Sequence, residues 1–280
     1  MEKDMRELQI HLNRSVDRAI DILDAFTTQH PALTLDEVAT ATGLPKATVH
    51  RMLYTMERRG LVSYDSQTAR YRLGFKLLEY GGILTSTLDV LQECEELLDS
   101  LQRDTRQSVV MSMRDHCGMI YIYRREVTEG LKYSSFVGQR RPLLYGVLGW
   151  VLAAYLPDEQ LRRCFEQLSD ENPSLPEPVR RGLNQVSDTQ SRLARIRCEG
   201  VYWEMDETIR GVAGVGAPIF DVRGRVNYAV GVLGPTVHLA ETIAEVRGRV
   251  VETARAISSR MGYDGEGLSG CLKNGAHGDG

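Results

Sequence analysis

Apolar residues recur at three- and four-residue intervals through Val16, Ala19, Ile20, Leu23 and Phe26, the period of an amphipathic helix. Ser15 stands in the capping position before it, and His30-Pro31 closes it. Thr34, followed three residues later by Glu37, reads as a capping box, so a short helix is expected from Leu35 to Thr42, stopped by Gly43. Pro45 then opens a helix at a position where a missing N–H costs nothing. That helix runs to about Arg59, with Val49, Met52, Leu53 and Met56 turned inward, and Gly60 ends it. Two helices joined across a glycine turn make a helix-turn-helix. Ala39 is small enough for a close crossing, Gly43 permits a positive φ, and Val49 fills the wedge between the helices. Val38, Leu44 and Met52 complete the small core. Beyond Gly60, residues 61–64, a polar turn at 65–69 and residues 70–73 read as strand, turn, strand: a hairpin placed as a wing.

The pattern changes after residue 74. Phe75 to about Arg103 is helical in period with a break at Gly81-Gly82, and Val90, Cys94, Leu98 and Leu101 belong to the apolar face after the break. Residues 107–113 and 119–125 read as strands joined by a turn, and Leu131–Val137 as a third. Leu144–Leu156 and Asp158–Leu168 are helical, parted at Pro157. Pro173, Pro176 and Pro178 mark a loop before another helix, to about Arg197. Ala213–Ile219 and Arg225–Leu233 are strands around a turn at Asp221 to Gly224, and a last helix carries Ile243, Val246, Val250, Ala254, Ile257 and Met261. The fold expected is α+β: a winged helix-turn-helix at 12–74, a linker helix at 75–89, a domain with a mainly antiparallel sheet and flanking helices at 90–263, and a glycine-rich, disordered tail at 264–280. A length of 280 residues is ample for two separate cores.

Charge adds a partner. The net charge is −4, yet residues 44–76 hold seven basic side chains (Lys46, Arg51, Arg58, Arg59, Arg70, Arg72 and Lys76) against two acids, Glu57 and Asp65. A basic patch on a helix-turn-helix and its wing faces phosphate. With Val49 and Met52 inward, Lys46, Thr48, His50 and Arg51 are left to meet DNA, and Arg70 and Arg72 alternate with Tyr71 and Leu73 so that both point to one face of the wing.

Other classes are excluded. A hydrophobic content of 42% and a charged content of 26% describe a globular chain, not a disordered one. The opening lacks a signal-like apolar core. The longest uncharged stretch, Pro142 to Pro157, falls short of the ~20 residues that span a bilayer, so no membrane partner is expected and the cytoplasm is the default compartment. Five cysteines, with no C-x-x-C pair, give neither a disulfide framework nor a metal motif; they are expected as free thiols, with His116 and Cys117 in a turn. No nucleophile–base–acid set stands out, so no catalytic residue and no cofactor is expected.

The runs Ser15-Val-Asp-Arg-Ala-Ile-Asp-Ile-Leu23, Gly43-Leu-Pro-Lys-Ala-Thr-Val-His-Arg-Met-Leu53 and Tyr71-Arg-Leu-Gly74 resemble the N-terminal domain of IclR-family transcriptional regulators. Val137-Gly-Gln-Arg-Arg-Pro-Leu143, Gly211, Ala217-Pro-Ile-Phe-Asp221, Gly224-Arg-Val226 and Leu233-Gly-Pro235 continue the likeness, and the ending at 256–263 is most similar to the sugar-acid-responsive branch. The resemblance implies a GAF-like effector-binding domain, and dimers that pair into tetramers. The helix from Ser15 and the Phe75 linker helix are the expected dimer surfaces, reading a palindromic double-stranded DNA operator.

Within that frame the effector site is expected between residues 138–149, 202–216 and 228–233. Arg140 or Arg141 would meet a carboxylate, and Tyr145, Tyr202 and Trp203 would stack or pack. Glu204, Asp206 and Glu207 occupy the acidic stretch that the family uses near its ligand. Gly214 stands where a cysteine is usual, and Gly231 and Leu233 stand where serines are common, so the groups that hold a small keto acid in some relatives are missing. Gly214, Gly216 and Gly231 either open space for a larger ligand or allow close backbone packing. The function expected is a DNA-binding regulator, a repressor before an activator, controlled by an aromatic or sugar-derived acid. An enzyme carrying a DNA-binding domain and an architectural DNA-binding protein are the alternatives.

Overall fold

The computed structural model describes residues 13–126, 135–171 and 175–265, which divide into two units after Thr87. The first unit begins with α1 (Arg14–Asp24), capped by the Asn13 side chain, which accepts from the N–H groups of Ser15 and Val16. Ser15 is therefore inside the helix: the amide oxygen of Asn13 takes the free N–H groups of Ser15 and Val16, and the helix starts two residues before the position a Ser15 cap would give it. A two-residue strand, β1 (Ala32–Leu33), precedes α2 (Leu35–Thr42). Thr34 and Glu37 form the reciprocal capping box, and Gly43 ends α2 at φ +66°. Pro45 is the residue before α3 (Lys46–Arg58) rather than its first. The hairpin follows as β2 (Val62–Asp65) and β3 (Arg70–Leu73), and β1 pairs with β3 to give a sheet of order β1-β3-β2. Ile22, Val38, Val49, Leu53, Met56, Val62 and Tyr71 form the core of this unit.

The helix after the wing does not break at Gly81-Gly82. It runs through both as α4 (Lys76–Ser86) and ends where the Thr85, Ser86 and Thr87 hydroxyls turn back onto carbonyls three or four residues earlier. Such back-bonding competes with continuation of the helix, and Leu88 then leaves the helical region at ψ 81°.

The second unit is a six-stranded antiparallel sheet between two helical layers. Its elements in chain order are α5 (Asp89–Thr105), β4 (Ser108–Asp115), β5 (Gly118–Arg125), β6 (Arg140–Pro142), α6 (Gly146–Ala154), α7 (Asp158–Glu171), α8 (Glu177–Asn184), α9 (Val186–Glu199), β7 (Tyr202–Met205), β8 (Val212–Phe220), β9 (Val226–Pro235), α10 (Thr236–Leu239) and α11 (Ile243–Arg260). The strand order is β6-β5-β4-β9-β8-β7. Alternation sorts the side chains: Ala213, Val215, Ala217, Val230 and Val232 face a core with α5 and α11, while Val110, Tyr121 and Ala229 face α6, α7 and α9. No described helix is long and apolar enough to cross a membrane.

Three expectations change here. Of the strand expected at Leu131–Val137, residues 131–134 lie outside the described residues and 135–137 are not strand; Arg140–Pro142 pairs with β5 instead. Pro178 belongs to the first turn of α8, where proline's missing N–H is harmless, and the single helix expected to Arg197 is two. Cys117 and Cys164 are not free thiols. The β4–β5 turn and α7 bring their Cα atoms to 5.0 Å, and a disulfide joins them. Their separation of 47 residues hid the pairing from any local spacing rule. The tail expected to be disordered lies outside the described residues beyond 265.

Candidate DNA interface and effector pocket

In the first unit, the inward stripe of α3 is Val49, Leu53 and Met56. The opposite stripe is Lys46, His50, Arg51, Tyr54 and Arg58, all exposed, with Thr48 half-buried at its edge. Lys46 lies 2.8 Å from Asp36 of α2, an exposed pair that is readily exchanged for phosphate. Tyr54, exposed one turn beyond His50, was absent from the residues expected at DNA although it shares their period. Arg70 is engaged elsewhere. Its guanidinium donates to Glu37 and to the Ala32 carbonyl at 2.9 Å, holding the wing to α2 and β1, so Arg72 is the exposed arginine of β3. Hydrogen bonds to its carboxylate, led by that from the Thr34 backbone N–H and joined by Arg70, lower the pKa of Glu37.

In the second unit, a cavity of about 550 Å³, its open mouth included, lies between the start of α6 and the sheet. Of the residues expected there, Arg141, Tyr145, Glu204 and Gly214 line it. Tyr121, Val147, Leu148, Thr208, Ile209, Val212 and Leu233 supply most of the rest. Arg141 lies 4.9 Å from the Tyr145 ring centroid, so cation and ring share one wall. Glu204 forms the opposite wall. It is buried, Thr208 hydrogen-bonds it, and its Oε2 has no hydrogen-bond partner. Burial pushes its carboxyl up to about 7, so near neutrality it exists in both a donor and an acceptor form. Burial likewise pushes the Tyr121 hydroxyl up to about 12 and keeps it a neutral donor.

The other expected residues lie elsewhere. Arg140 pairs with Asp115 on the far side of β6. Tyr202 is buried beneath Arg192, whose guanidinium stands 4.8 Å from the Trp150 ring and 2.7 Å from Glu207. Trp203, on the other side of β7, meets Arg247 of α11. Asp206 holds the loop after β7, accepting from the Gly211 N–H and the Thr236 hydroxyl. Gly231 does not line the cavity. A Cβ on it would stand 2.5 Å from the Val215 carbonyl oxygen and 2.9 Å from Leu148, and one on Gly216 would stand 3.2 Å from Leu148. These two glycines, paired across β8 and β9, let α6 press onto the sheet rather than open space. A Cβ on Gly214 would also meet Leu233, at 2.8 Å, so the cavity is bounded there by Leu233 and not enlarged by the glycine.

Arg192 was missed by sequence reasoning. It lines a second, polar cavity of about 410 Å³ with Arg181, Asp188, Thr189 and Glu207, and this cavity shares Glu204 and Thr208 with the first. Among the described residues, no group of three His, Cys, Asp or Glu side chains could hold a metal.

A winged helix-turn-helix with a basic outer stripe, followed by a sheet domain with a partly polar, partly apolar pocket, has the make-up of a DNA-binding regulator. The model of the family described as "Bacterial transcriptional regulator IclR C-terminal" matches residues 83–259, and that of "IclR helix-turn-helix domain" matches residues 15–66. The chain belongs to the IclR family of transcriptional regulators, and it is a regulator rather than an enzyme. It is 28% identical over 255 residues to the HTH-type transcriptional regulator KipR of Bacillus subtilis, covering 90% of this chain and 98% of that one. It is 29% identical over 246 residues to the DNA-binding transcriptional repressor YiaJ of Escherichia coli, covering 87% and 85%. In fold it matches the crystal structure of an IclR homologue from Microbacterium hydrocarbonoxydans complexed with 4-hydroxybenzoate, with TM-score 0.73, 20% identity and coverage of 88% and 98%.

Proposed function

We propose that this regulator is a repressor that binds a palindromic operator as a dimer and is controlled by a carboxylated effector, aromatic or sugar-derived, in the cavity of the second unit. The observation that carries the effector reading is the convergence of Arg141, Tyr145 and Glu204 on a mainly apolar cavity, about 550 Å³ with its open mouth included. Arg141 offers a fork for a carboxylate, and Tyr121, Tyr145, Val147 and Leu233 offer apolar faces for a ring. Those faces favour an aromatic acid over a polyhydroxy one. The homologue holding 4-hydroxybenzoate and the repressor YiaJ support the same reading.

Lys46, Thr48, His50 and Arg51 contact the operator, with base readout from some and phosphate contacts from others. Arg70 contributes by holding the wing in place, as its bonds to Glu37 and Ala32 suggest. The domain boundaries proposed are DNA-binding residues 12–74, a linker at 75–89 and effector-binding residues 90–263, and the protein acts in the cytoplasm, where DNA is met. Dimerisation rests on α1 and α4. α4 buries no residue within its unit, and Phe75, Leu78, Ile83 and Leu84 are 61–87% exposed, with Val16 and Ile20 more than half exposed on α1. That apolar surface needs a second copy to cover it.

Calorimetry with a panel of small acids, 4-hydroxybenzoate among them, tests the effector, after selection of genomic fragments that the purified protein retains. Binding only of two- or three-carbon keto acids, or an effector that leaves operator affinity unchanged, would sink the proposal. A DNA-loaded protein must show the same shift in effector affinity as the effector causes in DNA affinity.

A further inference from the structure

The disulfide between Cys117 and Cys164 has no part in the function proposed above, and its position gives it one. Cys117 is the half-buried tip of the β4–β5 turn, and Cys164 lies on the inward face of α7, 5% exposed. The Cys117 carbonyl accepts the Leu143 N–H at 3.2 Å, and the next residue, Gly118, is paired with Pro142 of β6. The segment from β6 to the start of α6 carries Arg141, Tyr145 and Gly146 into the effector cavity. A bond between the turn and α7 therefore ties down both the strand against which the cavity's arginine-bearing arm is laid and the helix that follows α6.

A protein that acts on DNA works where thiols are kept reduced, and disulfides there are typically transient and redox-sensing. The remaining described cysteines are built differently. Cys94 is fully buried, which pushes its thiol up to about 11 and leaves it inert, while Cys198 carries an exposed thiol on α9.

We propose that Cys117 and Cys164 are a reversible, peroxide-oxidised thiol pair whose disulfide locks the Arg141–Gly146 arm of the effector cavity. In the oxidising direction, the Cys117 thiolate attacks the O–O bond of hydrogen peroxide and becomes a sulfenic acid, releasing hydroxide. The Cys164 thiol displaces the sulfenic oxygen as water, and the S–S bond forms. In sum, two thiols and one peroxide give one disulfide and two waters, with two electrons passing from sulfur to oxygen. A small dithiol reverses this by exchange, attacking one sulfur, releasing one protein thiol, then closing its own disulfide as the second is freed.

The consequence for ligand control rests on reading the cavity as the effector site; the chemistry and the locking do not, and they are measured separately. The full-length protein is reduced with dithiothreitol, desalted and treated with equimolar hydrogen peroxide. The expected product is 2 Da lighter, with a Cys117–Cys164 linked peptide, and recovers both alkylatable thiols on dithiothreitol without denaturant. Native-state hydrogen exchange should then show the Leu143 amide at least about tenfold slower in the oxidised than in the reduced protein. Cys117→Ser should abolish both changes, and Cys198→Ser should leave both intact. A native disulfide that resists dithiothreitol, oxidation that falls on Cys198 instead, or equal Leu143 exchange in both states would overturn the proposal. Failure of every acid in the panel to bind either redox form would count against the effector reading alone, because the mass and exchange measurements decide the pair without a ligand.

Discussion

Gly231→Ala adds one methyl group, and the structure fixes where it goes. The new Cβ would stand 2.5 Å from the Val215 carbonyl oxygen, 2.9 Å from Leu148 Cδ2 and 3.4 Å from Gly216 Cα. Leu148 is fully buried and cannot swing away, and the oxygen belongs to the backbone of β8, the neighbour of β9. Relief therefore needs β8 and β9 to part or α6 to lift, and overpacking of this kind costs about 1–3 kcal/mol. Replacing glycine also narrows the unfolded ensemble, which offsets about 0.4–1 kcal/mol. The net loss is at most about 2.6 kcal/mol, the clash with backbone oxygen placing it in the upper part of that range, or a fall of up to about 10 °C in Tm for a unit of this size.

Gly248 supplies the opposite case. It is an exposed residue of α11 with no neighbour inside 4 Å of the added carbon, so Gly248→Ala should stabilise by about 0.5–1 kcal/mol. Both tryptophans, Trp150 and Trp203, lie in the second unit, so urea unfolding followed by their fluorescence reports on that unit alone. A Gly231→Ala midpoint at or above wild type would refute the close-packing account and return the glycine to the role of a space-maker for ligand.

Three further outcomes are expected. Lys46→Ala with Arg51→Ala should weaken operator binding, by about 1–3 kcal/mol from Arg51 alone if it reads a guanine, and should shallow the salt dependence by about one unit of slope for each phosphate no longer neutralised; full affinity by fluorescence anisotropy would exclude α3 as the reading helix. Glu204 binds its proton more tightly folded than unfolded, so its burial lowers stability as pH rises from 4.5 to about 7 and by a constant amount above that; Glu204→Gln should raise the unfolding free energy at pH 8, by roughly 1–3 kcal/mol, and change it little at pH 4.5. Leu78→Glu with Ile83→Glu should yield a folded monomer in sedimentation that has no palindrome affinity, because both side chains are exposed within their own unit; a dimer of undiminished affinity would place the interface elsewhere.

How far the sequence could be read depended on the range over which each feature is encoded. The helix-turn-helix is local: Thr34, Glu37, Gly43, Val49 and Leu53 each act within one or two helical turns, and α2 and α3 lie where that pattern places them. β1 was not legible, because two residues carry no period and gain their strand character only from pairing with Tyr71 and Arg72 of β3. Ser15 and Asn13 are both capping residues, and only the backbone decides between them. Glycine type alone was not decisive: Gly81-Gly82 weakens α4 without ending it, and of the two roles open to Gly216 and Gly231, close packing is the one they fill.

The cavity shows the limit in its sharpest form. Arg141 and Tyr145 come from the β6–α6 junction, Glu204 from β7, Thr208 and Ile209 from the following loop, Gly214 from β8 and Leu233 from β9. Family resemblance located these segments, but within each segment the side of the strand decides which residue enters. On β7 the two-residue period sends Tyr202 and Glu204 one way and Trp203 the other, so three adjacent candidates cannot all serve one ligand. Tyr202 then drops out because Arg192, from α9, lies over it. The same lid shares Glu204's neighbourhood through Glu207, so a substitution of Arg192 should act on the effector cavity without touching it. Loss of the guanidinium removes a positive charge that helps keep Glu204 ionised, and burial together with the Glu207 charge would then hold that carboxyl protonated to a higher pH. Arg192→Gln should therefore move the pH midpoint of effector binding upward wherever binding follows the Glu204 proton, as read by calorimetry between pH 5.5 and 8.5. An unchanged midpoint in the variant, with the midpoint abolished by Glu204→Gln, would show that Glu204 titrates independently of the Arg192 lid.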